Sequence, residues 1–590
     1  MRFKRISHPP SLQTRAMGGV YVATLQKDEE SPFAPRSDEG SLKTKNDSTN
    51  KAINKKWKPG AISPIHIDVD GLMNRAVLLP ISAGNIFGIL TAGEKIYYVT
   101  FPTPTIDGPP LPGETSVIHR FDMKERKDED LISGISGYAL SADGAKILYR
   151  QKNTFYIVDT EITPQPKEEN SPLDLSNMKT EINPVQEWNE MFHQAWRLER
   201  DFFYNKEMNG KNWSEIKTKY EKLLPELSCR EDLNYLIGEM IGELQNSHTY
   251  VGGGDDEGNN NYNPTGLLGV DFALDKSSGR YYFKKIYEGD NTREDYISPL
   301  TQPGIDAKEG DYLLAVDGHE LKAPVNPYSL FINTLGETVT LTLARNAEGK
   351  DKHDVIVKPV SNELNLRLKD WIGYNREYVN KKSEGKIGYV YLSDMESLGL
   401  DEFIRQYYPQ INKEGLVVDV RYNEGGNVDQ IILERLRRIL IGMSTNRQGY
   451  PYTIPKEVFH GYMICLINHY SASDGDIFPY YFRKYNLGPL IGERTWGGVR
   501  GIRGYWELLD GGFITIPESS IYGLDSQWII ENHGVEPDIE VDNLPGDVII
   551  GKDAQLDEGI NYIMKEIKEK PMEIPKPPPL IPAYPPDKGK

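Results

Sequence analysis

The chain has 590 residues, 38% apolar and 26% charged, with 68 Lys and Arg against 87 Asp and Glu for a net charge of −19. That length predicts about four domains, and the acidic balance excludes a nucleic-acid surface as its main business, because phosphate neutralisation needs clustered Lys and Arg. Two cysteines, Cys229 and Cys465, exclude a disulfide framework and a Cys-type zinc site, and no apolar run reaches the 18 residues of a membrane span. This is the profile of a large, acidic, soluble multidomain protein of a reducing compartment, expected in the cytoplasm unless an export signal precedes Met1. Gly (54), Pro (39) and Tyr (35) lean the architecture toward β structure.

The basic residues 1–10 are followed by no apolar run, so they make no secretory signal. Gly19–Leu25 reads as a strand and 31–60 as a polar linker. From about 66 to 165 short strand patterns recur at Lys95–Val99, Val117–Phe121 and Lys146–Arg150. The stretches starting at Gly88 and Gly137 look like one motif seen twice, about 50 residues apart. That spacing fits β-propeller blades, but closure needs at least four blades and only about two are present. The expectation is therefore the C-terminal part of a chain nearly twice as long.

A helix is predicted from Pro184 to Tyr204, opened by Asn183-Pro184, with Trp188, Phe192 and Trp196 as a core stripe. A second is predicted over about 231–246, with Leu233, Leu236, Ile237, Met240, Ile241 and Leu244 at helical period. It runs into Gln245–Tyr250 and a polar glycine-containing loop. Residues 264–360 carry Gly266-Leu267-Leu268-Gly269, then Pro303-Gly304, then Gly310–Gly318 with an Asp317-Gly318 turn. This order resembles a PDZ domain of the protease-associated type, whose first motif captures a terminal carboxylate. The last 230 residues read as α/β. Strands are predicted at Lys386–Leu392, Gly415–Arg421 and Tyr462–Ile467. Helices are predicted at Phe403–Ile411 and after Asn427, the latter with Val428, Ile431, Ile432, Leu436 and Ile439 on one face. Residues 571–590 hold eight prolines and suggest an extended tail.

The strand–turn–helix at 462–485 is the first place to look for chemistry. Ser473 there opens a helix, where free amides and the macrodipole favour a developing oxyanion. The turn is a cousin of the nucleophile elbow without its first glycine, and a plain N-cap explains the serine equally well. Gly425-Gly426 after another strand offers further exposed amides. A serine nucleophile needs a base, and His248, His469 and His533 are the candidates.

Residues 386–540 resemble the C-terminal processing peptidase superfamily through Arg421–Asn427, Ser471-Ala472-Ser473, Gly492–Gly498 and Gly534–Asp538. In its main branch a lysine stands where this chain has Gly498, so a Ser–Lys dyad is unavailable there. The tricorn protease branch is similar over about 20–545: propeller strands, a helical half-domain ending in Ser-His, a PDZ domain, then the α/β half. The resemblance implies Ser473 as nucleophile, His248 as general base, Ser247 and Glu531 orienting the imidazole, and Gly426 and Asp474 amides as oxyanion hole. It implies a serine endo- or oligopeptidase trimming products of larger proteases, hexameric in the family, acting on peptides without metal or cofactor. The family's preference for basic residues has no visible acid here, since Glu457 is the only carboxylate between Leu436 and His460.

The expected fold class is multidomain α/β and β. Its parts are a partial β-propeller plus linker (1–175), the helical half of the catalytic core (180–255), a PDZ domain (262–360), an α/β catalytic core like that of C-terminal processing peptidases (361–550), and a helix with a proline-rich tail (551–590). The rival functions are a non-catalytic PDZ-and-propeller peptide-binding scaffold and a Ser–Lys tail-specific protease.

Overall fold

The computed structural model describes residues 18–34, 65–102, 115–161, 171–255, 263–291, 293 and 296–578. The basic N-terminus, most of the polar stretch at 31–60, the polar loop before Asn263 and the last part of the proline-rich tail lie outside the described residues. The chain forms two compact units, Met1–Glu181 and Ile182–Lys590.

The first unit is β structure. Strands β1 (Tyr21–Ala23) and β2 (Ala76–Leu78) pair antiparallel. β3 (Asn85–Ala92), β4 (Lys95–Phe101), β5 (Val117–Asp122) and β6 (Lys127–Ser133) form a four-stranded antiparallel meander. β7 (Gly137–Leu140), β8 (Lys146–Gln151) and β9 (Thr154–Asp159) form a three-stranded one. The two copies of the repeated motif become the hairpins β3–β4 and β7–β8, each turned by a left-handed glycine, Gly93 and Gly144. β4 is buried on both faces. Tyr97 and Val99 pack with Ile118, Ile147 and Tyr149, while Ile96 and Tyr98 pack with Val20, Val22 and Phe121.

The second unit begins with helices α1 (Pro184–Phe202), α2 (Trp213–Glu221) and α3 (Arg230–Gly242). Asn183 caps α1 by accepting from the Gln186 amide, as Asn183-Pro184 predicts. Phe192 and Ala195 of α1 and Leu233, Ile237 and Met240 of α3 share one core. Trp196 and Trp213 lock α1 to α2, each indole N–H donating to the other's carbonyl at 2.9 and 3.1 Å. α3 stops four residues short of the predicted end, because Gly242 is followed by a turn in which Gln245 takes a positive φ. β10 (Val251–Gly252) follows that turn.

A six-stranded antiparallel sheet comes next, as expected of the PDZ region. Its strands are β11 (Val270–Asp275), β12 (Arg280–Ile286), β13 (Tyr312–Val316), β14 (His319–Glu320), β15 (Val339–Ala344) and β16 (His353–Val357). α4 (Leu364–Lys382) leads into the α/β part.

There β17 (Ile387–Tyr391), α5 (Ser397–Tyr407), β18 (Gly415–Asp419), α6 (Asp429–Leu436), the hairpin β19 (Gly442–Thr445)–β20 (Pro451–Ile454), β21 (Tyr462–Ile467), α7 (Asp474–Lys484) and β22 (Leu490–Gly492) follow in order. Then come β23 (Trp506–Glu507), β24 (Phe513–Ile514), β25 (Ile539–Glu540), α8 (Pro545–Ile549) and α9 (Ala554–Glu569). The parallel sheet runs β17-β18-β21-β22-β25. Helices α5, α6 and α7 pack on one face through Phe403, Ile432 and Phe478. α4 and α9 pack on the other through Ile372, Val379, Ile560 and Ile563. Burial on both faces explains the unbroken apolar runs at β18 and β21.

Two helix expectations change. α5 starts six residues before Phe403, and Ile411 lies beyond it, past a 3₁₀ turn over Tyr408–Gln410. α6 ends at Leu436, so its buried stripe is Ile432, Leu433 and Leu436, while Ile431 and Ile439 are exposed. One link matters for the site. β10 pairs with β24, so the segment after α3 is sewn to a hairpin some 260 residues later, and Leu508 and Ile514 join the α1–α3 core.

Candidate active site

Both glycines of the 425–426 pair and Ser473 meet at the ends of parallel strands β18 and β21, the usual place for function in an open α/β sheet. Ser473 sits at the N-cap position of α7 with φ 56° and ψ −117°, and its side chain makes no capping bond. The N-cap explanation of this serine therefore does not hold: the hydroxyl is free of the helix, on a strained strand-to-helix turn. Neighbouring bonds pin that turn. The Ala472 amide donates to the Asn423 carbonyl (2.9 Å), and Ser471 Oγ donates to the Val420 carbonyl (2.9 Å). A Cβ on Gly425 would lie 2.6 Å from Ser473 Cβ, and one on Gly426 would lie 2.1 Å from the Met395 carbonyl. Only glycine lets this backbone approach so closely, with φ values of 93° and 145°. Among the described residues the amides of Gly426 and Asp474 meet no acceptor.

His248 arrives from the turn after α3, itself at a positive φ of 61°. Thr515 holds its backbone: Oγ1–H donates to the His248 carbonyl (2.7 Å) and accepts from the Tyr250 amide (2.8 Å). The ring then reaches Ser473, with Nε2 3.2 Å from Oγ. On its other side Nδ1 is 2.9 Å from Ser247 Oγ, which lies 3.1 Å from Glu531 Oε2. Glu531 also accepts from the Ser247 amide (2.8 Å) and the Val499 amide (2.9 Å).

These bonds fix the proton positions. A carboxylate only accepts, so the Ser247 hydroxyl donates to Glu531 and its oxygen is left to accept from Nδ1–H. Nε2 is then unprotonated and faces the Ser473 hydroxyl, the tautomer a general base requires. Burial pushes the His248 pKa below its ordinary 6.5, with the Glu531 charge opposing the shift. The ring is neutral at neutral pH.

The surroundings were less legible. Trp496, half exposed, lies edge-on to His248 with ring centroids 5.8 Å apart. A Cβ on Gly498 would fall 2.2 Å from that indole, so the place where the main branch of the superfamily has its lysine is occupied by Trp496. Beneath Ser473, Asp476 accepts from the Gly497 amide (2.7 Å), and burial pushes its pKa up to about 6. Asp474 accepts from the Asp429 amide (3.2 Å); burial, then the neighbouring Asp429, push its pKa up to about 8. Asp429 carries no motif, and only the packing of α6 on α7 reveals it.

The other candidates stay apart. His469 is exposed and pairs with Glu493 at 3.2 Å, and His533 is exposed and faces Glu536 at 3.5 Å. Cys465 is buried in β21, and Cys229 stands at the N-cap of α3. Among the described residues no cluster of three His, Cys, Asp or Glu side chains is poised to hold a metal, and no helix is long and apolar enough to cross a membrane.

A parallel sheet carrying a strained serine at one strand end, with a PDZ domain earlier in the chain, is the arrangement expected of the S41 class. The Peptidase family S41 pattern matches residues 386–541, the Tricorn protease PDZ domain pattern 266–362 and the Tricorn protease C1 domain pattern 184–242. The chain belongs to the tricorn protease family. It is 36% identical to a putative tricorn-like protease C-terminal subunit of Sulfurisphaera tokodaii over 85% of its own length and 58% of that protein. It is 33% identical to the tricorn protease of Thermoplasma acidophilum over 88% of its length and 46% of that one. A crystal structure of the tricorn protease superposes with a TM-score of 0.80 at 29% identity, covering 96% of this chain and 53% of the other. The chain thus spans about half the length of the curated relatives it matches.

Proposed function

We propose that the chain is the catalytic part of a serine peptidase that hydrolyses peptide bonds in oligopeptides, trimming the short products of larger proteases. Ser473 is the nucleophile and His248 the general base. Ser247 and Glu531 orient the imidazole, and the Gly426 and Asp474 amides receive the oxyanion. The observation that carries this reading is the unbroken chain of hydrogen-bond distances Ser473–His248–Ser247–Glu531, built from residues up to 284 apart in sequence.

In the attack step the Ser473 oxygen adds to the scissile carbonyl while its proton passes to His248 Nε2. The imidazolium carries its charge on a ring whose Nδ1–H already points at Ser247, and Glu531 stabilises that charge through the hydroxyl. The negative charge forming on the carbonyl oxygen meets the Gly426 amide and the Asp474 amide, the latter at the N-terminus of α7. His248 then returns its proton to the leaving amine, and water repeats the cycle on the acyl-enzyme. The strands of 1–175 are read as the last blades of a propeller, and the full-length protein as a cytoplasmic homo-oligomer, hexameric as in the family. No acid is assigned to a pocket for basic residues.

The test is labelling with a fluorophosphonate probe. Ser473→Ala abolishes labelling and peptide hydrolysis while near-UV circular dichroism persists; undiminished labelling of that variant overturns the assignment. The wild-type labelling rate falls on the acid side as His248 takes up a proton. Because its pKa is depressed, the midpoint of that fall lies below 6.5.

A further inference from the structure

The loop after β22 delivers more to Glu531 than the Val499 amide. The next residue, Arg500, has its side chain only 7% exposed, with Nε 3.6 Å from Glu531 Oε1. The same Nε donates to Asn246 Oδ1 at 2.7 Å, and Asn246 immediately precedes Ser247. The Arg500 amide lies 3.5 Å from Ser247 Oγ. Its guanidinium stacks over the Tyr204 ring at 4.3 Å and stands 5.7 Å from the Trp528 ring. One side chain thus touches the end of α1 (Tyr204), the turn carrying the candidate base (Asn246) and the segment carrying the candidate acid (Trp528, Glu531). A charge this buried is costly unless paired, and Glu531 is the carboxylate it faces.

We propose that Arg500 is a positioning residue: it clamps the Asn246–Ser247–His248 turn onto Glu531 and offsets the Glu531 charge felt by the imidazole. This rests on the four-residue reading above. The geometric part follows from Nε, which donates to Asn246 Oδ1 and stands 3.6 Å from Glu531 Oε1, and so sets where Ser247 Oγ stands between ring and carboxylate. The electrostatic part follows from the count of charges. At rest the group holds one carboxylate, one guanidinium and a neutral imidazole. Without the guanidinium the buried carboxylate acts unopposed on His248, favours the imidazolium, and leaves less of the base unprotonated at a given pH.

The test uses the full chain, a biotinylated fluorophosphonate, and labelling rates from pH 5 to 9. Arg500→Met lowers the plateau rate about a hundredfold and moves the acid limb up by about half a pH unit. Arg500→Lys keeps the charge but loses the Nε donor to Asn246 and the planar group stacked on Tyr204, so its acid limb stays in place while the plateau falls about tenfold. In the double variant Arg500→Met/Glu531→Gln the two losses do not multiply and the acid limb is not raised, because both partners of the charge pair are gone. A wild-type plateau and limb in Arg500→Met, or fully multiplicative losses in the double variant, overturn the proposal. Should Arg500→Met lose its near-UV circular dichroism, Arg500→Lys decides, and a wild-type plateau there overturns it. His248→Ala separates this from the reading beneath it. Labelling of His248→Ala at the wild-type rate sinks the base assignment. An inert His248→Ala beside an unaffected Arg500→Met sinks only the role of Arg500.

Discussion

The two walls of the site are built in opposite ways. The wall that carries Ser473 is made by neighbours: β18, β21 and α7 belong to one parallel sheet and its helix layer, and the bonds that pin the turn run to Asn423 and Val420 at the adjacent strand end. The wall that carries His248 closes short local turns of its own, such as Gln245 N–H to the Gly242 carbonyl (3.0 Å) and Thr249 Oγ1 to the Asn246 carbonyl (3.1 Å), and is positioned from outside. Its backbone is held by Thr515, its neighbour Gln245 by the Asn532 side chain (2.9 Å), and Ser247 by Glu531. A buried ion pair, Arg230 with Asp510, and the β10–β24 pairing sew the same seam. The proposed nucleophile is thus a local feature, and the proposed base is a product of long-range closure. Damage to the first wall removes the reacting geometry outright, whereas damage to the second slackens it.

Gly425→Ala strikes the nucleophile wall and carries the largest expected effect. The added methyl lands 2.6 Å from Ser473 Cβ and 2.9 Å from the Ala472 carbonyl, at a φ of 93° that alanine tolerates poorly. Neither neighbour is the loose end of a flexible side chain, so the turn itself must move. Displacing the proposed nucleophile together with the amides proposed to receive the oxyanion lowers the labelling rate about a thousandfold. The measurement compares labelling at matched folded protein, and a loss under tenfold shows that the turn is not the rigid partner.

Thr515→Val strikes the base wall. The isosteric change removes the donor to the His248 carbonyl and the acceptor for the Tyr250 amide, leaving one buried and one part-buried backbone group short of a partner. Such loss costs about 1–3 kcal/mol of stability and frees the positive-φ turn. The labelling rate falls about tenfold, less than for Gly425→Ala, with a lowered Tm. Equal losses in the two variants erase the distinction between the walls.

The same contrast explains what was legible. The nucleophile turn could be found locally, because an apolar run ending in Ser-Ala-Ser-Asp-Gly before a helix has a pattern of its own. The hairpin repeats of the first unit, the PDZ motifs and the cap of α1 were equally local. The base was not: ten histidines compete, and nothing near His248 marks it. Its pairing with Ser473 was read only through resemblance to a family whose order of parts matches. The roles of Arg500 and Trp496 escaped, although Trp496 lies within the Gly492–Gly498 stretch and Arg500 two residues beyond it. Their roles depend on what stands opposite them, Glu531 for one and the imidazole for the other. Helix ends slipped for a related reason. The buried stripe of α6 stops at Leu436, and apolar residues at 431 and 439 that fit the sequence pattern face outward.

The smallest effect on chemistry, and a separate one on stability, belongs to Glu199. It lies on the buried face of α1, four residues after Ala195, where the helical period calls for an apolar side chain. Both its carboxylate oxygens are buried without a hydrogen-bond partner, and burial pushes its pKa up to about 8. The folded protein therefore holds a proton there that the unfolded chain releases near pH 4.5. Stability is penalised progressively as pH rises from that value toward 8 and is unaffected below it. Glu199→Leu removes the penalty. Its Tm gain over wild type is small at pH 4.5, grows steadily to pH 8, and reaches the equivalent of a few kcal/mol at most, about 4. The labelling rate at neutral pH stays within about twofold, because the Glu199 carboxylate makes no hydrogen bond to any residue of the site. A Tm difference independent of pH means that the carboxyl is not held protonated. A large loss of labelling means that the helical core and the base turn are coupled more tightly than the long-range bonds alone require.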